Sequence, residues 1–262
     1  MSKIYSLVSY QKYGKIKHAV PYIFSYKKTG RTLIYFGANH SPDPKNKQYS
    51  MLEKLWKNFV ALKFNKNSLV VIEALDQKKL SSKSEAIMAG AESAYMEYLA
   101  REQKYKIVCP EPSFDRQAKL LLHNFSKDQI EYYFFARTIA QWHRYKIKPD
   151  FKRYIDKFLE MDQRDLGWKN YDFSLRHMKK IHSDIFKKKF DYLDRGFFRR
   201  IVSPARSETV INQLARVNSE NREQAILGNI EKYWKQKKNL FIVYGYAHAF
   251  IQRPAIRQMV LK

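Results

Sequence analysis

Apolar positions along the chain follow two rhythms. Ile4 to Tyr10, Val20 to Tyr26 and Thr32 to Gly37 are short runs rich in β-branched and aromatic residues, separated by turn signals such as Lys28-Thr29-Gly30. They predict three strands, the first two forming a hairpin. Ser50 to Glu53 has the form of a capping box, and Leu52, Leu55, Trp56, Phe59, Val60 and Lys63 repeat at helical spacing behind it. Leu69 to Ile72 is apolar throughout, as expected of a strand buried on both faces. Ser82-Lys83-Ser84-Glu85 opens a second helix through Ile87, Met88, Ala91, Ala94, Tyr95 and Leu99, and Ile107 to Cys109 is a further buried strand stopped by Pro110 and Pro112. From about 114 to 238 only helical patterns occur, including Ser126 to Gln129 ahead of the run from Ile130 to Trp142 and a long stretch from Ser207 to Lys238. Strand character returns at Leu240 to Tyr244, which ends at Gly245. The order predicts an α/β fold: a mainly parallel sheet flanked by helices, with an N-terminal β-hairpin and a large helical insertion. One domain spanning 1–262 is expected, its core about 1–113 and 207–262 and the helical elaboration about 114–206.

Composition narrows the class. With 262 residues, 45% hydrophobic and 15% aromatic, the chain has ample material for a core, which excludes a disordered tail, a collagen-like chain and a disulfide scaffold. Cys109 is the single cysteine, so no intramolecular disulfide forms and a reducing compartment is the simpler setting. The lysine-interrupted N-terminus lacks an apolar run of signal-peptide length, and no stretch approaches the ~18 residues of a spanning helix. No membrane span and a cytoplasmic location are therefore expected. The 50 basic and 25 acidic residues leave a net charge of +25 and a pI near 9.9. That surplus is spread along the chain, +10 over residues 1 to 113 and +15 over 114 to 262. It suits a solvated basic surface, and nucleic acid is expected only through non-specific charge. No zinc-finger spacing, ribonucleoprotein aromatic motif or basic region leading into heptads accompanies it.

Each predicted core strand ends at an ionisable residue: His40 after TLIYFGAN, Glu73 after LVVI, Glu111 after IVCP and His248 after LFIVYGYA. The carboxyl ends of parallel strands share one sheet edge, where ligands of open α/β sheets bind. Two imidazoles and two carboxylates are thus aimed at one crevice. Two of the strands finish on the same spacing, Gly37-Ala38-Asn39-His40 and Gly245-Tyr246-Ala247-His248, in which the glycine allows a tight exit from the strand. Glu92, flanked by small residues in Gly90-Ala91-Glu92-Ser93, and Arg222, early in the helix before the last strand, are further candidates. Imidazole and carboxylate together bind Mn, Co, Zn or Fe and activate water, with His40, His248 and Glu73 as ligands. Without metal, one of them serves as general base while Arg222 stabilises developing negative charge. Taken singly, each of these residues is more often a cap, turn or surface group. His18, His123, His143, His177 and His182 lack this placement and are read as structural, and Cys109 as a small buried hydrophobe.

The pair GANH and GYAH, VVIEAL around Glu73, GAESAYMEYLA followed by IVCPEP, and Asn221-Arg222 ahead of the last strand together resemble the superfamily that joins TraB-like and TIKI proteins, the erythromycin esterases and ChaN-like haem-binding proteins. The resemblance spans most of the α/β portion and covers the helical block less. It implies a site at one sheet edge and metal-dependent proteolysis or His/Glu-assisted ester hydrolysis, with His40, His248, Glu73 and Arg222 on the matching motif positions and Glu92 and Glu111 aligned less securely. The expectation is a metal-assisted hydrolase acting on a small-molecule or peptide substrate. A haem or small-ligand carrier without turnover and a polyanion-binding protein are the alternatives.

Overall fold

Residue parity decides which layer each strand residue joins. In the computed structural model, which describes residues 4–63, 67–75 and 80–261, β1 (Tyr22–Lys28), β2 (Arg31–Ala38), β3 (Ser68–Ile72), β4 (Lys106–Val108) and β5 (Asn239–Gly245) form one sheet in the order β1-β2-β5-β3-β4. β1 is antiparallel to β2, and the other pairings are parallel. The architecture is the expected α/β fold with an N-terminal hairpin. On one face Ile34, Phe36, Val70, Ile72, Phe241 and Val243 pack against α2 (Gln48–Val60) and α3 (Lys83–Glu102). On the other, Leu33, Tyr35, Leu69, Val71, Leu240, Ile242 and Tyr244 meet the C-terminal half of α9 (Val210–Lys235) and α10 (Tyr246–Leu261). Burial on both faces explains why β3 and β5 read as unbroken apolar runs.

The hairpin is formed by the second and third predicted strands. The first, Ile4 to Tyr10, is not a strand. Its backbone bonds with helices instead: Tyr5 N–H donates to Gln224 Oε1 (2.8 Å) and Val8 N–H to Ile251 O (3.1 Å), and α1 (Tyr10–Tyr13) follows. Alternating side chains look alike whether a segment pairs with a strand or lies along helices. Ser50 lies inside α2, whose N-cap is Lys47, and Glu53 faces Lys57, Lys83 and Tyr95 instead of closing a capping box. The expected caps at Ser82 and Ser126 are in place, the second as a full capping box on α5 (Lys127–Trp142).

The chain divides into two compact units, Met1–Glu111 with Glu223–Lys262, and Pro112–Arg222, with the boundary inside α9. The second unit is helical. Its α5 contacts α6 (Phe151–Leu166), α7 (Leu175–Phe186) and α8 (Arg195–Ile201), burying Tyr132, Phe135, Ile139, Ile155, Met178 and Phe198, and α4 (Phe114–Leu121) contacts α6. Histidines there serve the packing: His182 Nδ1 lies 2.6 Å from Tyr132 OH and His143 Nε2 2.9 Å from Tyr192 O. Among the described residues no helix is long and apolar enough to cross a membrane.

Candidate functional site

The register of the central strands brings their ends level. Ala38 of β2 pairs with Gly245 of β5, and Ile72 of β3 with Val243. His40 follows β2, Glu73 leaves β3, Glu111 follows β4, and His248 stands in the first turn of α10, which begins directly after β5. The two glycines are required for room, since neither carries a positive φ. A Cβ on Gly245 would stand 2.7 Å from His40 Nε2, and one on Gly37 would meet Ala249 Cβ, Tyr22 O and Tyr246 Cα at 2.6 to 2.9 Å. Each GxxH glycine thus accommodates residues of, or just beyond, the other motif. That is a stronger reason for the repeated spacing than the tight strand exit that the sequence suggests.

Glu92 reaches this edge through a break in α3. Gly90 and Ala91 leave helical geometry, Ala91 at φ 51° and ψ −136°, and helix resumes behind them with Glu92 buried to 1% exposure. Its Oε1 lies 2.5 Å from His40 Nδ1. His248 is backed in the same way: its Nδ1 lies 2.8 Å from Oε1 of Glu223, which has no exposed surface. Tyr10 OH donates to Glu223 Oε1 (2.7 Å), Gln252 Nε2 donates to Oε2 (2.6 Å), and Tyr35 OH in turn donates to Gln252 Oε1 (2.9 Å).

With Nδ1 of each imidazole facing a buried carboxylate, Nε2 is the nitrogen left for chemistry. Both turn toward Glu73. His40 Nε2 is 4.0 Å from Glu73 Oε2, and His248 Nε2 is 3.8 Å from Oε1. Glu73 is held by the Gly245 N–H, which donates to Oε2 (3.3 Å), while Cys109 Sγ donates to its main-chain oxygen (3.2 Å). Cys109 is only half-buried and helps fix the strand end.

Donor atoms of His40, Glu73 and Glu92 lie within 4.8 Å of one another, as do those of Glu73, Glu111 and His248. His40, Glu73, Glu92, Glu111 and His248 are therefore brought together. Arg222 is the last residue of the helical unit, and the five residues named above belong to the α/β unit.

The electrostatics follow from these contacts. The bond to Glu92 holds His40 above the ordinary imidazole value and outweighs the opposing effect of burial. Burial alone would push the Glu223 carboxyl up, yet His248, Tyr10 and Gln252 together bring it below the usual carboxylate value. Glu223, Tyr10 and Gln252 were not among the sequence candidates. Glu223 had a readable mark: it occupies the apolar stripe of α9 that continues through Ile226, Leu227, Ile230 and Trp234, where an acid needs a buried partner.

Comparison with family models, curated proteins and solved structures returns no match to this chain.

Proposed function

We propose that the chain is a metal-assisted hydrolase that cleaves a peptide or ester bond, of the kind its motifs resemble in the TraB, TIKI, erythromycin esterase and ChaN-like superfamily. The observation that supports this most is the matched pair of imidazoles, each with a buried carboxylate on Nδ1 and Nε2 turned to Glu73. Metal-binding histidines commonly donate their second N–H to a carboxylate, which fixes the ring and raises its basicity. Among the described residues, the enclosed Glu92 Oε2 has no hydrogen-bond partner.

His40 and His248 supply nitrogen ligands, and Glu73 serves as ligand or as base toward water. Held by these residues, a divalent ion would supply the means to lower the pKa of a bound water and to polarise the scissile carbonyl. Glu92 and Glu223 orient the imidazoles. Esters and peptides presented with Mn, Co, Zn or Fe should be turned over by the wild type, with activity lost on chelation. His40→Ala and His248→Ala should abolish turnover while far-UV circular dichroism stays unchanged; full turnover by either folded variant would remove the proposal.

A further inference from the structure

We propose that the helical unit docks on an anionic lipid surface through two neighbouring loops, 143–150 between α5 and α6 and 187–194 between α7 and α8.

One aromatic anchor holds both loops. His143 and Phe151, at the two ends of the first loop, each meet Tyr192 of the second: His143 Nε2 lies 2.9 Å from Tyr192 O, and the Phe151 and Tyr192 rings stack at 4.0 Å. Trp142 packs edge-on against both rings, and its Nε1–H donates to Pro149 O (2.9 Å). The rings are thereby turned toward one another, and what the loops carry outward is aliphatic. Ile147 is 91% exposed, the highest value among the described large apolar side chains, and Leu193, next to the anchoring Tyr192, is 63% exposed. A lone exposed aliphatic residue is ordinary. Two of them on loops tied to one base form a paired feature.

Charge surrounds them. The first loop reads Arg144-Tyr145-Lys146-Ile147-Lys148 and the second opens Lys187-Lys188-Lys189, and all six basic residues are exposed. The acids of these loops serve the backbone: Asp150, Asp191 and Asp194 accept from the N–H groups of Arg153, Leu193 and Phe197. Lys188 is drawn over the Phe197 ring (3.5 Å) and lies 3.8 Å from Asp194, which leaves the other five without an acidic partner among the described residues. Cations around protruding aliphatic groups suit a bilayer interface, where lipid headgroups pair with the charge and the aliphatic side chains reach the acyl boundary. The half-exposed ring of Tyr145 suits the same depth. A nucleic acid would accept the charge but offers little to isoleucine and leucine, and the rings on which its bases would stack are closed inside the anchor.

The test is sedimentation of the full chain with vesicles of phosphatidylcholine alone and of phosphatidylcholine mixed with phosphatidylserine. Wild type should bind the mixed vesicles and hardly bind the neutral ones. Ile147→Ser/Leu193→Ser keeps the charge of +25 and alters only exposed side chains, so it should melt with the wild type. It should bind the mixed vesicles about tenfold more weakly or worse, since each methylene withdrawn from the acyl boundary costs about fourfold. Lys146→Ser/Lys148→Ser should also lose about tenfold or more, at about fivefold per basic residue. Lys45→Ser/Lys54→Ser, which removes the same charge from exposed positions in the α/β unit, should change binding little. Equal binding by Ile147→Ser/Leu193→Ser and wild type, or equal losses from the two lysine pairs, would mean that bulk charge alone holds the chain to the vesicles, and would overturn the docking surface. Failure of the wild type to bind mixed vesicles would overturn it as well, and tighter binding to single-stranded RNA than to mixed vesicles would assign the face to a polyanion instead.

Discussion

At Glu223 the charge survives complete burial because Tyr10, Gln252 and His248 all address the same carboxylate. Glu223→Gln removes the charge and turns an amide NH2 toward the Gln252 Nε2 donor even when its oxygen keeps Tyr10 and His248, and a loss of about 2 kcal/mol is expected in urea unfolding at neutral pH. The folded carboxyl titrates below its ordinary value of 4.5. Its contribution is therefore whole above that value and is lost as pH falls through the lower folded one, so Glu223→Gln should flatten the acid limb of a stability profile. His40 has the opposite sign. Its folded value lies above 6.5, so the pair with Glu92 stabilises fully below 6.5 and fades as pH rises through the raised value. In metal-free protein, Glu92→Gln should bring the His40 titration, followed by NMR, down toward 6.5; an unmoved titration would contradict the assigned cause.

Among the elements, α3 contains the clearest conformational conflict. Ala91 holds a φ of 51° that favours glycine, immediately before Glu92. Relief of strain on the order of 1–3 kcal/mol exceeds the roughly 0.4–1 kcal/mol that glycine costs through the unfolded chain. Ala91→Gly should therefore raise the urea midpoint. In the helical unit, burial and the neighbouring Asp162 push the Glu131 carboxyl upward. Its neutral form is the one the fold accepts. That contribution is whole below the ordinary value of 4.5 and drains away as pH climbs through the raised folded value, so Glu131→Gln should weaken the decline in stability on the alkaline side. These elements also show what the sequence could disclose. β3, β5, both GxxH spacings and the caps at Ser82 and Ser126 are local patterns with local causes, and they were readable. The break in α3 was hidden because Gly90 and Ala91 are compatible with a helix until Glu92 has to meet His40. Glu223 was legible as an acid on the apolar stripe of α9, but its partners Tyr10, Gln252 and His248 come from distant parts of the chain and met it only once α9 was laid on the sheet. Ile4 to Tyr10 carried a strand's alternation without a strand to pair with.

Over the whole molecule, a charge of +25 makes self-repulsion a general destabilising term, screened over about 10 Å at 0.1 M salt. Raising sodium chloride from about 0.02 to about 0.3 M should increase the melting temperature, read by calorimetry; a flat response would mean that the surplus charge is already locally balanced. Sheet order has a consequence for the chain's assembly. β5 comes last among the described strands, yet it occupies the middle of the sheet, between β2 and β3. Before it is inserted, the earlier strands can make only two separate ribbons, β1 with β2 and β3 with β4. Each then presents an unprotected apolar edge of the sort that templates aggregation. A polypeptide cut short before Asn239 would therefore be more than inactive: it would be adhesive, a hazard that ends when the same strand that delivers His248 closes the gap.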